Sequence, residues 1–172
     1  MAQLRKQESS FKGTIGKTLN DSEPWFELPQ HPGEDAPNVV VVLLDDTGFA
    51  QLGCYGSSID TENIDNLAAD GMQFTNFHVT PLCSPTRASL LTGRSQHAVG
   101  MRSVSNFRTG FPHMLGHITN EAATMAEIFQ AEGYATFCAG KWHLAPMENG
   151  SSAGPFDQWP LGRGFDRFYG FL

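Results

Sequence analysis

The chain has 172 residues, enough for one domain with a core of its own, and 40% hydrophobic with 17% charged residues is a globular balance that excludes a disordered or membrane-embedded chain. Its 18 acidic and 11 basic residues give a formal net charge of −7 without a basic block, which argues against nonspecific binding to nucleic acid or an anionic membrane. Three cysteines, Cys54, Cys83 and Cys138, are odd in number and widely spaced, so neither a disulfide framework nor a zinc site is suggested. The opening residues carry Arg5 and Lys6 but no apolar run of signal-peptide type, and the longest apolar run covers residues 39–44. As written, the sequence is expected to be soluble and cytoplasmic.

Residues 1–36 are polar, contain Pro24, Pro29 and Pro32, and lack periodicity, which predicts an N-terminal arm with Trp25, Phe26 and Leu28 as anchors to the domain that follows over 37–172. Residues 39–44, four valines and two leucines, suit a strand buried on both faces of a mostly parallel sheet, ending at Asp45 and Asp46. A helix is predicted over 61–70, with Thr61 as N-cap, Ile64, Leu67 and Ala68 at core spacing, and Gly71 as its stop. A short strand over 73–79 is expected next. Pro85 suits the first turn of a helix that begins near Cys83 and stops at Gly93. Residues 95–119 show no period and read as loop with short elements. Thr124 and Glu127 have the spacing of a capping box for a helix running to about Glu132. A buried strand over 135–139 then delivers Gly140, Lys141, Trp142 and His143 into a loop. Strands alternating with helices imply an α/β layer architecture with loops gathered at strand ends.

Three groups of residues suggest chemistry. Cys83 at a helix N-terminus meets free N–H groups and the positive end of the helix dipole, and Arg87, one turn on, shares its face and can pair with an anion there. The pentapeptide alone is equally compatible with a buried structural cysteine beside a helix-starting proline. Asp45 and Asp46 at the end of a buried strand would repel one another unless a cation relieved them, and carboxylates suit Ca²⁺ or Mg²⁺; a solvent-facing turn before Gly48 is the alternative. Lys141 and His143 stand on alternate positions, so an extended segment points both to one side, toward a shared pocket, and Trp142 away; solvated or core-satisfied side chains are the alternative.

The run Cys83-Ser84-Pro85-Thr86-Arg87, with Ala88 to Arg94 after it, resembles the signature of the type I sulfatases. The resemblance extends to residues 37–48, to Gly140-Lys141-Trp142-His143-Leu144 and to 160–172, in family order; Ala145 departs from the glycine usual after that leucine. It implies the alkaline-phosphatase-like fold, a three-layer α/β sandwich with a mostly parallel sheet, here truncated. It also implies hydrolysis of an organic sulfate ester by a formylglycine made from Cys83 by a formylglycine-generating enzyme. A hydrated aldehyde attacks sulfur, expels the alcohol and collapses to release sulfate, a release that a thiol lacks. By the same resemblance Asp45, Asp46 and residue 83 hold Ca²⁺ or Mg²⁺, while catalysis falls to Cys83, Arg87, Lys141 and His143. His97, His113 and His117 are read as loop residues, and the aromatics of 160–172 as packing against the sheet edge. The family's later Asp–Asn metal pair, histidine and lysine are not matched, so these residues by themselves are expected not to turn over. A phosphonate or phosphate monoester hydrolase of the same superfamily, and a noncatalytic fragment or binding module, are the rival readings.

Overall fold

A computed structural model describes residues 11–26, 28 and 31–172. Three α-helices and one small sheet carry its regular structure. Helix α1 spans Glu62–Asp70, α2 spans Cys83–Thr92 and α3 spans Met125–Ala131, while strands β1 (Phe137–Lys141) and β2 (Arg167–Phe171) pair in parallel with Phe137 opposite Arg167 and Lys141 opposite Phe171. The architecture is α/β, with short 3-10 turns in the connections.

The helices start and stop where their sequences direct. Thr124 caps α3 in a reciprocal box, its hydroxyl accepting from Glu127 N at 3.1 Å while Glu127 Oε2 accepts from Thr124 N at 2.6 Å. Helix α2 ends at Gly93, whose φ of 63° is the left-handed stop that costs glycine nothing. Its entry has no side-chain cap at Leu82. Instead Thr80 Oγ1 donates to Leu82 O at 2.9 Å and Thr86 Oγ1 to Thr80 O at 3.1 Å, pinning the chain just before Cys83. Thr61 precedes α1 as expected, but its hydroxyl accepts from Gly53 N and donates to Asp65. Leu67 of that helix stays exposed.

The buried strand predicted over 135–139 forms two residues later and is mostly exposed, Phe137 included; Thr136 is already engaged with Asp166, Thr136 N and Oγ1 both donating to Asp166 Oδ2, at 2.8 and 3.1 Å. Its partner β2 falls in the segment whose aromatics were expected to pack against the sheet edge. Gly140 and Gly170 face each other in the ladder, and a Cβ on Gly170 would collide with the Gly140 carbonyl.

Two predicted strands are not formed. Residues 39–44 belong to no ladder among the described residues, and Val40 and Val42 are about 80% exposed rather than buried. A strand is held by its neighbours' hydrogen bonds and covered by their side chains, so an apolar run without a paired neighbour has the composition of a buried strand and none of its burial. Residues 73–79 are irregular for the same reason, with Phe74, Phe77 and Val79 exposed. In the arm, Phe26 and Leu28 are also exposed and do not anchor it, while Trp25 takes the Lys12 ammonium over its ring and His31 and Pro32 lie against Gly133. Pro29 lies outside the described residues.

The core instead draws heavily on the stretch that shows no period. Val99, Met101 and Ile118 from it are buried with Ala122, with Ala88 of α2 and with Trp142, Leu144 and Ala145 after β1. Trp142 meets Phe165 edge to face at 6.0 Å. Arg163 is buried and staples this layer, Nη1 donating to Ile118 O at 2.8 Å and Nη2 to Ala122 O at 2.7 Å. The effect is to fix the end of the loop after α2 to the segment 158–163. Cys54, Cys83 and Cys138 are free thiols, and burial pushes that of Cys138 up.

Candidate active site

The first turn of α2, the C-terminal end of β1 and the turn at Asp45 converge. Cys83 is the first residue of α2, and its Sγ lies 3.1 Å from His143 Nδ1. Arg87, one helical turn on, donates from Nη1 to the Lys141 carbonyl at 2.6 Å and from Nη2 to Asp45 Oδ1 at 3.1 Å. Lys141 Nζ reaches the other oxygen of the same carboxylate at 2.8 Å. One aspartate therefore holds two cations beside the N-terminus of a helix.

The alternation expected of Lys141 and His143 is realised. Both face the site, while Trp142 points into the core and donates from its indole nitrogen to Gln158 O at 2.9 Å. His143 has a φ of 54°, a conformation that few non-glycine residues adopt, and it is held there by hydrogen bonds at both ring nitrogens. The second of these partners is Asn106 Oδ1, 2.6 Å from Nε2. Sequence reasoning passed over Asn106, since nothing in its local pattern distinguishes it from its loop neighbours. It is positioned by Ser105, whose buried N–H donates to the Oγ of the fully buried Ser84 at 3.2 Å, tying the loop to the residue after Cys83.

Charge at the site is tuned accordingly. The hydrogen bond from Lys141, and then that from Arg87, hold the Asp45 carboxyl below the usual carboxylate range, and the same contact with Asp45 raises Lys141. Burial lowers His143, with the charges of Lys141 and Arg87 acting in the same direction, so its neutral form is favoured at pH 7. Arg87 Nε is buried with no hydrogen-bond partner among the described residues.

A cleft of about 540 Å³ opens beside these groups, lined by Ser105, Asn106, Lys141 and His143 and, on its apolar side, by residues including Met147 and Phe171. His97, His113 and His117 do not line it. His113 Nδ1 bonds His97 O at 2.7 Å, and His117 Nδ1 bonds Leu115 O at 3.1 Å. Of the aromatics in 160–172, expected against the sheet edge, Phe165 and Phe168 pack on the core instead, Phe168 from within β2, while Phe171 reaches the cleft.

Asp46 adopts a φ of 53° in the turn after Asp45, and among the described residues its carboxylate has no hydrogen-bond or ion-pair partner. Together Asp45 and Asp46 offer the hard oxygen donors that Ca²⁺ or Mg²⁺ prefers. They are only part of a cage: Cys83, expected to share the ion with them, does not join them, and no group of three or more His, Cys, Asp or Glu converges among the described residues.

Fold and site thus define an α/β chain with a cation-walled pocket, suited to an anion, at the first turn of a helix. A family model described as Sulfatase matches residues 37–172, and the chain belongs to that family. Human Arylsulfatase A is 43% identical over 139 residues, which are 78% of this chain and 25% of that protein; human Steryl-sulfatase is 40% identical, over 78% of this chain and 23% of its own. Among solved structures, the crystal structure of Ps i-CgsB superposes with a TM-score of 0.62 at 35% identity, over 74% of this chain and 26% of that one. The chain spans about a quarter of the length of the curated relatives it matches.

Proposed function

We propose that these residues supply the nucleophile and the sulfate-binding wall of a sulfate-ester hydrolase in which Cys83 is matured to formylglycine by a formylglycine-generating enzyme. One observation carries the reading. Cys83, Arg87, Lys141, His143 and Asp45 come within hydrogen-bonding distance in contacts that span 42, 54, 60 and 96 residues of sequence, and Lys141 and His143 of this group line a cleft open to a ligand. Membership of the sulfatase family, with relatives named as arylsulfatases and steryl-sulfatases, supports the same chemistry.

Each residue has a task. Arg87 and Lys141 present positive charge to the sulfate oxygens, and Asp45 holds both in place so that little reorganisation is needed as charge builds. The N–H groups opening α2 add a fixed dipole at residue 83. His143 Nδ1 faces the reacting group and accepts its proton, with the ring turned toward it by the contact at Nε2. Met147 and Phe171 give the ester's organic part an apolar wall. Formylglycine supplies an oxygen nucleophile that can release sulfate again, and a divalent cation, held in part by Asp45 and Asp46, supplies Lewis-acid stabilisation of the anion.

The test is mass spectrometry of the Cys83 peptide from the protein as expressed from its own gene, alongside turnover of an aryl sulfate and an aryl phosphonate by that protein. An aldehyde at residue 83 with preferential sulfate turnover is expected. An unmodified thiol from a host that matures such enzymes would favour a noncatalytic role, and preference for the phosphonate would move the protein to the phosphonate or phosphate hydrolases.

A further inference from the structure

We infer that Asn106 is a positioning residue for the reaction proposed above, fixing the ring of His143 with its proton on Nε2 and its Nδ1 lone pair directed at residue 83. The inference rests on the reading that residue 83 carries the reacting group. Its geometry is a relay of three side chains from three separate elements. Cys83 opens α2, His143 follows β1 and Asn106 lies in the loop between α2 and α3, with separations of 3.1 Å from Sγ to Nδ1 and 2.6 Å from Nε2 to Oδ1.

The direction of the relay follows from what each atom can do. A carbonyl oxygen only accepts, so Asn106 Oδ1 requires a proton on Nε2. The nitrogen facing residue 83 is then the one free to take a proton, the role that the proposed chemistry needs. Without Asn106, the imidazole could hold its proton on either nitrogen and turn about its bond to Cβ, and only one of those arrangements is productive.

The structure also shows how Asn106 comes to be held. Ser105 N is tied to Ser84 Oγ, and Ser84 directly follows Cys83, so the orienting group and the reacting residue share one buried anchor. Phe107 N donates to Val104 O at 3.0 Å, closing a turn across Asn106. The two contacts at its nitrogens determine the orientation of the His143 ring. Asn106 is exposed and lines the cleft, outside the packed core, so its replacement leaves the fold's buried contacts intact.

The experiment compares Asn106→Leu, Asn106→Ser and Asn106→Asp in the protein as expressed from its own gene. Melting temperature and the matured fraction of residue 83 are measured for each, and rates are taken per matured site. Loss of the acceptor in Asn106→Leu is expected to lower kcat by about 10- to 100-fold with KM changed less than about threefold, and Asn106→Asp, which keeps an oxygen at the same place, to recover most of the loss. Asn106→Ser, too short to reach, should behave like the leucine variant. Nitrogen-15 spectra of labelled histidine give an answer that does not depend on turnover: His143 is expected with a protonated Nε2 and bare Nδ1 in the parent, and as a mixture in Asn106→Leu. An unchanged His143 spectrum in Asn106→Leu, a kcat within twofold of the parent, or an equal loss in Asn106→Asp would overturn the inference. A parent that is matured yet inert toward aryl sulfate would instead defeat the functional proposal, with the histidine spectrum still deciding the role of Asn106.

Discussion

Asp45 is the residue on which the site's electrostatics turn, because one carboxylate satisfies Arg87 and Lys141 at once. Its neighbour Asp46 allows the cation-binding role to be separated from that clamp. Asn tolerates a positive φ nearly as well as Asp, so Asp46→Asn removes a charge with little backbone penalty and leaves Arg87 and Lys141 untouched. Calcium titration is expected to show affinity weaker by at least roughly 10-fold in Asp46→Asn, since affinity follows the charge count of the oxygen ligands. Equal affinity and equal activity in that variant would return Asp46 to the simple turn that its sequence also allows. Arg87→Lys tests the other half. Lysine keeps the charge but cannot reach both the Lys141 carbonyl and Asp45 from one planar group, so kcat is expected to fall by about 10- to 100-fold, whereas Cys83→Ala should abolish turnover. Parental kcat in Arg87→Lys would show that charge alone suffices.

At the level of elements, the junction of α3, β1 and β2 depends on Asp166. Burial pushes its carboxyl up, but hydrogen bonds from the Thr136 backbone, Gln130 and the Thr136 hydroxyl, together with the charge of Arg167, outweigh that and hold it below the usual range. A carboxyl lowered on folding stabilises the native state above its unfolded value and loses that contribution as pH falls through the folded one. The stability gap between the parent and Asp166→Asn is therefore expected to be flat from neutral pH down to about pH 5, and to close below about pH 4. At neutral pH its size should be under about 1 kcal/mol, because Thr136 N–H then faces an amide instead of a carboxylate that solvent already screens; denaturation midpoints against pH measure it. A gap unaltered at pH 3 would mean that Asp166 acts through shape alone. Elements set by local chemistry were legible in the sequence: the capping box of α3, the proline and glycine that bound α2, and the alternation that turns Lys141 and His143 one way and Trp142 the other. Elements set by partners were not. The start of β1 was displaced by the claim of Asp166 on Thr136, and Asn106 gained its place through Ser105 and Ser84, contacts that no spacing in an aperiodic loop announces.

For the whole molecule, the apolar run at 39–44 gives the sharpest expectation. Its side chains are 38 to 83% exposed, and Phe74, Phe77, Phe137 and Phe171 add further uncovered apolar surface. At about 25 cal/mol per Å² such surface favours any association that removes it from water, and an apolar segment outside any ladder also offers N–H and C=O groups to a neighbouring chain. Residues 1–172 expressed by themselves are thus expected to bind a hydrophobic dye and to elute as oligomers or aggregate, and Val40→Lys with Val42→Lys, at the two most exposed positions of the run, to shift them toward monomer. The same segment is expected to show no aryl sulfate turnover above a Cys83→Ala control even with residue 83 matured, because Asp45 and Asp46 furnish too few oxygens to fix a cation. Gel filtration with light scattering, run beside the activity assay, checks both halves. A monodisperse, dye-silent monomer would mean that the run is covered within these residues in solution, and measurable turnover would mean that Arg87, Lys141 and His143 complete the chemistry without further ligands.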